Sequence, residues 1–73
     1  METLFQRSIE ERLKLEMIYM THNGDISQRV IRVLKDNNNN ILAYCYVKRK
    51  VRMFKKNNIL SVLPYKIKRQ MGA

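Results

Sequence analysis

The chain lacks most of the residues on which catalytic and covalent structural chemistries depend. Its 73 residues hold one cysteine, one histidine, one proline, two glycines and no tryptophan. A lone thiol, Cys45, cannot build a disulfide framework, and this usage fits a reducing compartment. Cys45 and His22 together fall short of the four ligands of a structural zinc site. Neither glycine belongs to a phosphate-cradling loop: Gly24 follows Asn23 in a turn and Gly72 is next to last. His22 falls in that same turn with no sequence neighbour that makes a dyad with it, and Cys45 lies mid-strand as an inert core thiol. Glu10 and Glu11 are adjacent on a helix and point in different directions, so they are no catalytic pair. An enzyme is not expected, and neither a cofactor nor a metal is called for. Long apolar runs are also missing. Nothing approaches the roughly 20 apolar residues of a membrane span, and Glu2, Arg7, Glu10 and Glu11 interrupt any leader-like stretch. The expectation is a soluble, cytoplasmic domain without membrane contact.

Acidic residues are the most unevenly scarce. Residues 1–27 carry three basic and five acidic groups, a balance of −2. Residues 28–73 carry twelve basic groups against Asp36 alone, a balance of +11, and the two sum to the net +9. A segment that cannot neutralise itself is either a solvated cationic surface or a surface for a polyanion. What is present besides charge is apolar material, 45% of the chain, too much for a disordered tail. A domain this small buries only roughly 60% of its unfolded surface. Function is therefore expected on the outside.

Met1, Leu4, Phe5, Ile9 and Leu13 recur at helical spacing, which predicts a helix over about the first dozen residues, laid as a lid on a sheet. Thr3 and Gln6 have the spacing of a capping box. From Leu13 the period becomes two, predicting a first strand over about 14–21. Thr21–Asp25 reads as a turn centred on Asn23-Gly24. Strands are then expected at Ile26–Lys35, Ile41–Val47, Val51–Lys55 and Ile59–Leu63. They are separated by the polar loop Asp36–Asn40, a tight Lys48-Arg49 connection and a Lys56-Asn57-Asn58 turn. Pro64 suits an outer edge. The fold class is mainly β: a short N-terminal helix followed by five strands curling into an Sm-like or SH3-like small barrel, because closure protects edges. Residues 1–65 make one domain, and residues 66–73 are a basic C-terminal tail.

Six cations lie between Lys48 and Lys56, interleaved with apolar residues and preceded by Tyr44 and Tyr46. Alternation puts Arg52, Phe54 and Lys56 on one face, with the tyrosines contributed by the neighbouring strand. Guanidinium groups grip phosphates in a bidentate manner, and rings stack bases, so this set has the parts of a single-strand nucleic-acid platform. Arg29 and Arg32 are three apart on the second strand and face opposite ways only if that strand is flat, so one of them faces inward or rims the barrel. The bland alternative makes Phe54 a core residue and the lysines a guarded edge.

The same residues carry a resemblance. Gln28-Arg29-Val30-Ile31-Arg32-Val33, Ala43-Tyr44-Cys45, Arg49, Arg52-x-Phe54 and Asn58-Ile59, with Ile9 and Tyr19, resemble the WYL domain family in order and spacing over about residues 4–65. The Trp-Tyr-Leu tripeptide itself is absent. The resemblance implies an Sm-like barrel and a ligand-sensing role in bacterial or phage transcription regulation, with single-stranded nucleic acid or nucleotides as ligands. It maps the family's arginines onto Arg29, Arg52 and Arg49. The candidate binding residues are thus Arg29, Arg52, Arg49, Tyr44, Lys56, Arg32 and Tyr46.

Two readings follow. One is a nucleic-acid or nucleotide-binding regulatory module. The other is a protein-interaction module, in which a barrel edge or the helix mediates homo-oligomerisation or meets an acidic protein. The first requires Arg29 and Arg52 to converge on one groove rather than lie on opposite sides, each tied to its own carboxylate.

Overall fold

The periodicity change near Leu13 is where the helix ends. In the computed structural model, which describes residues 2–65, α1 spans Glu2–Glu11 and Arg12 turns the chain in the left-handed region at φ 56°. Strands follow at β1 Leu15–Met20, β2 Ile26–Asp36, β3 Asn40–Cys45, β4 Lys50–Lys55 and β5 Ile59–Pro64, with one 3₁₀ turn, Lys56–Asn58, between the last two. No helix among the described residues is long and apolar enough to cross a membrane. The basic tail, 66–73, lies outside the described residues.

The β1–β2 turn forms as the Asn-Gly signal predicts. Gly24 takes φ 90°, its amide donates to Thr21 O at 2.9 Å, and Thr21 N–H donates to Asp25 O at 2.8 Å. The β3–β4 connection is longer than the expected Lys48-Arg49 pair. β3 stops at Cys45 and residues 46–49 all belong to the turn, closed by Arg49 N–H to Cys45 O at 2.7 Å with Arg49 at φ 57°.

Every ladder is antiparallel and the strand order is β4-β3-β2-β1-β5. Directly paired residues share a face, so the register sorts the sheet cleanly. Leu15, Met17, Ile31, Val33, Ile41, Ala43, Cys45, Phe54, Ile59 and Val62 are all buried on the inner face. That face is strongly concave. The rings of Tyr19 on β1 and Phe54 on β4 meet at 5.0 Å, whereas three ladder steps across a flat sheet would span roughly 14 Å. Two bulges supply the bend: Leu34 is the extra residue in the β2–β3 ladder and Leu60 in the β1–β5 ladder. The sheet is barrel-like but not closed, because β4 and β5 are its two edges and do not pair. Edge protection comes instead from Lys50, Arg52 and Lys55 on β4, and from the bulge and Pro64 on β5.

Helix α1 covers one opening of the curl. Phe5 is 1% exposed within the core, with Leu4, Ile9 and Leu13 packed beside it. Ser8 is also 1% exposed. Its Oγ accepts Val33 N–H at 2.8 Å and donates to Leu13 O at 2.6 Å, a polar pin from helix to sheet. The Thr3–Gln6 capping box does not form: Thr3 already lies inside the helix, and Gln6 Nε2 donates forward to Glu10 at 3.0 Å.

Candidate anion-binding site

Three consequences of the register decide where the cations go. Ala43 pairs with Arg52 and Met17 pairs with Arg29, so both arginines stand on the concave face with the core. Because the sheet curls, positions on β1, β2 and β4 that a flat sheet would separate approach one another. A cleft of about 370 Å³ opens there, between the β1–β2 turn and β4, and no α1 residue lines it. Arg29 and Arg52 both line it, with Tyr19, Phe54 and His22. Thr21, Lys55 and Asn58 complete much of the wall.

The half-buried Arg29 is held in position. Its Nε donates to Ser27 Oγ at 3.3 Å, and its guanidinium carbon lies 5.8 Å from the centroid of the Phe54 ring. Arg52 is exposed at the mouth. Among the described residues the cations with carboxylate partners are Arg7, paired with Glu11, and Lys56, paired with Glu2 and Asp36. Arg29 and Arg52 therefore line the cleft without a carboxylate partner among the described residues. Guanidinium groups have the fork geometry that matches a phosphate or carboxylate, so an arrangement of this kind over aromatic rings is chemically suited to an anion. Phe54 itself is a core residue, 2% exposed.

Arg29 also lines a second, smaller cleft of about 230 Å³, with Ser27, Gln28, Cys45, Val47 and Lys48. It is a notch in the sheet. The β2–β3 ladder ends at Ile31 and Cys45, with one further bond from Tyr46 N–H to Val30 O at 3.1 Å. The overhanging first half of β2 then faces the β3–β4 turn across a gap.

The other expected residues lie elsewhere. Tyr44 pairs with Arg32 on one side and Val51 on the other, which places both Tyr44 and Arg32 on the convex face, opposite Arg52. Tyr46 joins them: its ring packs edge-on against Tyr44 at 5.1 Å, and Lys14 Nζ lies 4.6 Å from its centroid. The tyrosines thus do not share the face of Arg52 and Phe54. Arg49 is exposed on the β3–β4 turn and lines neither cleft. Lys56 is a structural cation, not a free one. Nζ reaches Asp36 Oδ1 at 2.6 Å and Glu2 at 3.0 Å, and sits 5.7 Å from the Phe5 ring centroid. That Asp36 oxygen is buried without an aligned hydrogen-bond donor, so the ion pair is its compensation. Asp36 is the largest cause raising the Lys56 ammonium above its ordinary 10.5; desolvation opposes it and Glu2 adds to it. His22 and Asn58, which sequence reasoning did not place among the binding candidates, also line the cleft. The His22 position follows from the tight Asn-Gly turn folding back beside the end of β1, and that of Asn58 from the 3₁₀ turn.

No family model and no curated protein matches the chain. Among solved structures it is similar to proteasome accessory factor B/C (PafBC) of Arthrobacter aurescens, with a TM-score of 0.75 and 24% identity over 86% of this chain. The matched part is only 11% of the PafBC chain. The helix and curled five-stranded sheet therefore share their fold with one small segment of PafBC.

Proposed function

We infer that this domain is a ligand-sensing module of bacterial or phage transcription regulation, binding the phosphates of nucleic acid or nucleotides in the Arg29–Arg52 cleft. The observation that carries it is that two arginines, neither paired with a carboxylate among the described residues, line one concave opening together with Tyr19 and Phe54. The WYL-like order of motifs supports the regulatory part, and the likeness to a PafBC segment supports the fold that the resemblance implies. Nucleic acid is favoured over an acidic protein because the cations cluster with rings and half-buried polar groups, the combination that phosphate and base recognition uses.

The test is a titration of fluorescent single-stranded DNA and of a fluorescent nucleoside triphosphate at low and at physiological salt. Affinity for the DNA is expected to fall steeply with salt, since each phosphate neutralised contributes roughly 0.7 to the log–log slope. Arg29→Ala and Arg52→Ala should each weaken binding about tenfold or more, as loss of a charge-assisted hydrogen bond does. Absence of binding at low salt, salt-independent binding, or arginine variants that bind like the parent would each sink the proposal.

A second reading, docking on a protein or another copy through the sheet, is favoured by exposed Val51 and Met53 on the β4 edge. It predicts concentration-dependent mass in sedimentation and indifference to replacement of Arg29 and Arg52.

A further inference from the structure

The two edges of the sheet are not equivalent. β5 is a broken template: Leu60 bulges out of its ladder, and Pro64, which has no amide proton, ends it. β4 is regular. All six of its residues pair with β3 without a register shift, and no strand lies on its other side. One bond decides which of its backbone groups are free. Lys56 N–H donates to Asn39 O at 2.9 Å, which makes Asn40–Lys55 a non-hydrogen-bonded pair. By alternation Phe54, Arg52 and Lys50 exchange bonds with β3, and the N–H and C=O groups of Val51, Met53 and Lys55 point outward. The side chains alternate as well. Lys50 and Arg52 stand on the concave side with Cys45 and Ala43, while Val51 and Met53, 47% and 59% exposed, stand on the convex side. Lys50, Arg52 and Lys55 are exposed and have no carboxylate partner among the described residues.

We propose that β4 is a docking edge for an extended segment of another protein in which acidic and aliphatic residues alternate, added as a further strand. This narrows docking through the sheet to one edge and one partner chemistry, and it stands whether or not the cleft takes phosphate. Three features select the occupant. Outward N–H and C=O groups in alternation are matched by a peptide backbone, whereas phosphate oxygens only accept and leave the carbonyls unpaired. Residues opposite one another across a ladder share a face, so carboxylates can meet Lys50 and Arg52 while aliphatic side chains meet Val51 and Met53. A second copy of this chain fits worse. Its own β4 brings three more cations, and its β5 brings a bulge and no charge. The cations that block self-pairing are thus the ones that admit an acidic strand.

The experiment titrates the intact chain, by calorimetry, with a capped peptide of alternating Glu and Val. Controls are the same composition in scrambled order, an alternating Lys-Val peptide, and the Glu-Val peptide N-methylated either at every Val or at every Glu. The Glu-Val peptide is expected to bind, and the scrambled and Lys-Val peptides at least roughly tenfold more weakly. Methylation of one set of amides should abolish binding and of the other leave it: the Val set for an antiparallel strand, the Glu set for a parallel one. Val51→Pro removes one outward donor and keeps the β3 ladder, so it should lose roughly tenfold. Lys50→Glu should shift preference toward the Lys-Val peptide. Neither residue lines the Arg29–Arg52 cleft, so binding of a nucleoside triphosphate there should not change in either variant. Equal binding of ordered and scrambled peptides, or equal effects of the two methylation patterns, overturns the proposal, since charge alone would then be at work. A concentration-dependent mass that Val51→Pro removes makes a second copy the occupant and also overturns it. Should Val51→Pro fail to melt cooperatively, the two methylated peptides on the unaltered chain decide.

Discussion

The two openings of the curled sheet are built on opposite principles. At the helix end the buried polar groups are tied within the fold: Ser8 satisfies Val33 N–H, and Lys56 joins Asp36 to Glu2. At the other end Arg29 and Arg52 face a cleft that no carboxylate among the described residues lines. One end spends its polar groups on holding the fold, and the other leaves them for something outside it. Stability and binding are therefore expected to separate under mutation, and the most direct way to break the comparison is to find that they do not.

The largest effect belongs to Phe5→Ala. Emptying this site, 1% exposed, should cost about 3–5 kcal/mol, comparable to the whole stability of a domain this small. Circular dichroism should show a chain largely unfolded or melting far lower. Arg52→Ala at the open end should instead leave the melting temperature within a few degrees and remove binding. A Phe5 variant that melts normally means that the helix is not a structural lid. Next comes Ser8→Ala, which leaves the buried Val33 amide without an acceptor and should cost about 1–3 kcal/mol in a denaturant titration, with ligand affinity unchanged at temperatures where the protein is folded.

Much of this partition was legible before any coordinates, but unevenly. Element types and most boundaries follow from local signals: the switch to period two at Leu13, Asn23-Gly24, and the polar run after Asp36. That Arg29 and Arg32 lie on opposite faces follows from their odd separation on one strand, but which of them is inward is decided by the pairing with Met17 and Tyr44. The placement of Tyr44 and Tyr46 beside Arg52 fails on register. The four-residue turn pairs Cys45 with Lys50, so even-numbered residues of β3 meet odd-numbered residues of β4. Any connection of even length imposes that parity, so loop length alone could have assigned the tyrosines to the Val51–Met53 face. The fate of Lys56 was not readable, because its partners Glu2 and Asp36 are distant in sequence and meet only when the helix docks. The same holds for Ser8, an ordinary polar residue until Val33 arrives. Closure was over-read: bulges and edge charges protect an open sheet without it.

The Lys56 pair also sets a pH dependence. Its ammonium is held above 10.5 in the folded state, so its contribution is fully present below about pH 10.5 and is lost as pH rises through the higher folded value. Thermal melts should show no change from this group near neutrality and a decline in strongly alkaline solution. Lys56→Met should remove that decline, lower stability at pH 7 by leaving Asp36 uncompensated, and leave affinity nearly intact. A large loss of affinity in a folded Lys56→Met would move this cation from the structural end to the binding end.

The smallest effect sharpens the boundary between the two ends. Arg49 is one of the three residues the WYL-like pattern nominates for binding, yet it sits at φ 57° on the β3–β4 turn and lines neither cleft. A left-handed conformation costs an L-residue roughly 1–2 kcal/mol, and glycine escapes that cost while losing roughly 0.5–1 kcal/mol in chain entropy. Arg49→Gly should therefore be neutral to slightly stabilising, by at most about 1 kcal/mol or roughly 5 °C in melting temperature. If the residue serves only the turn, affinity for single-stranded DNA should stay within about twofold, the loss of one peripheral cation slightly flattening the salt slope. If affinity instead falls as far as in Arg52→Ala while the melting temperature rises, the turn belongs to the site.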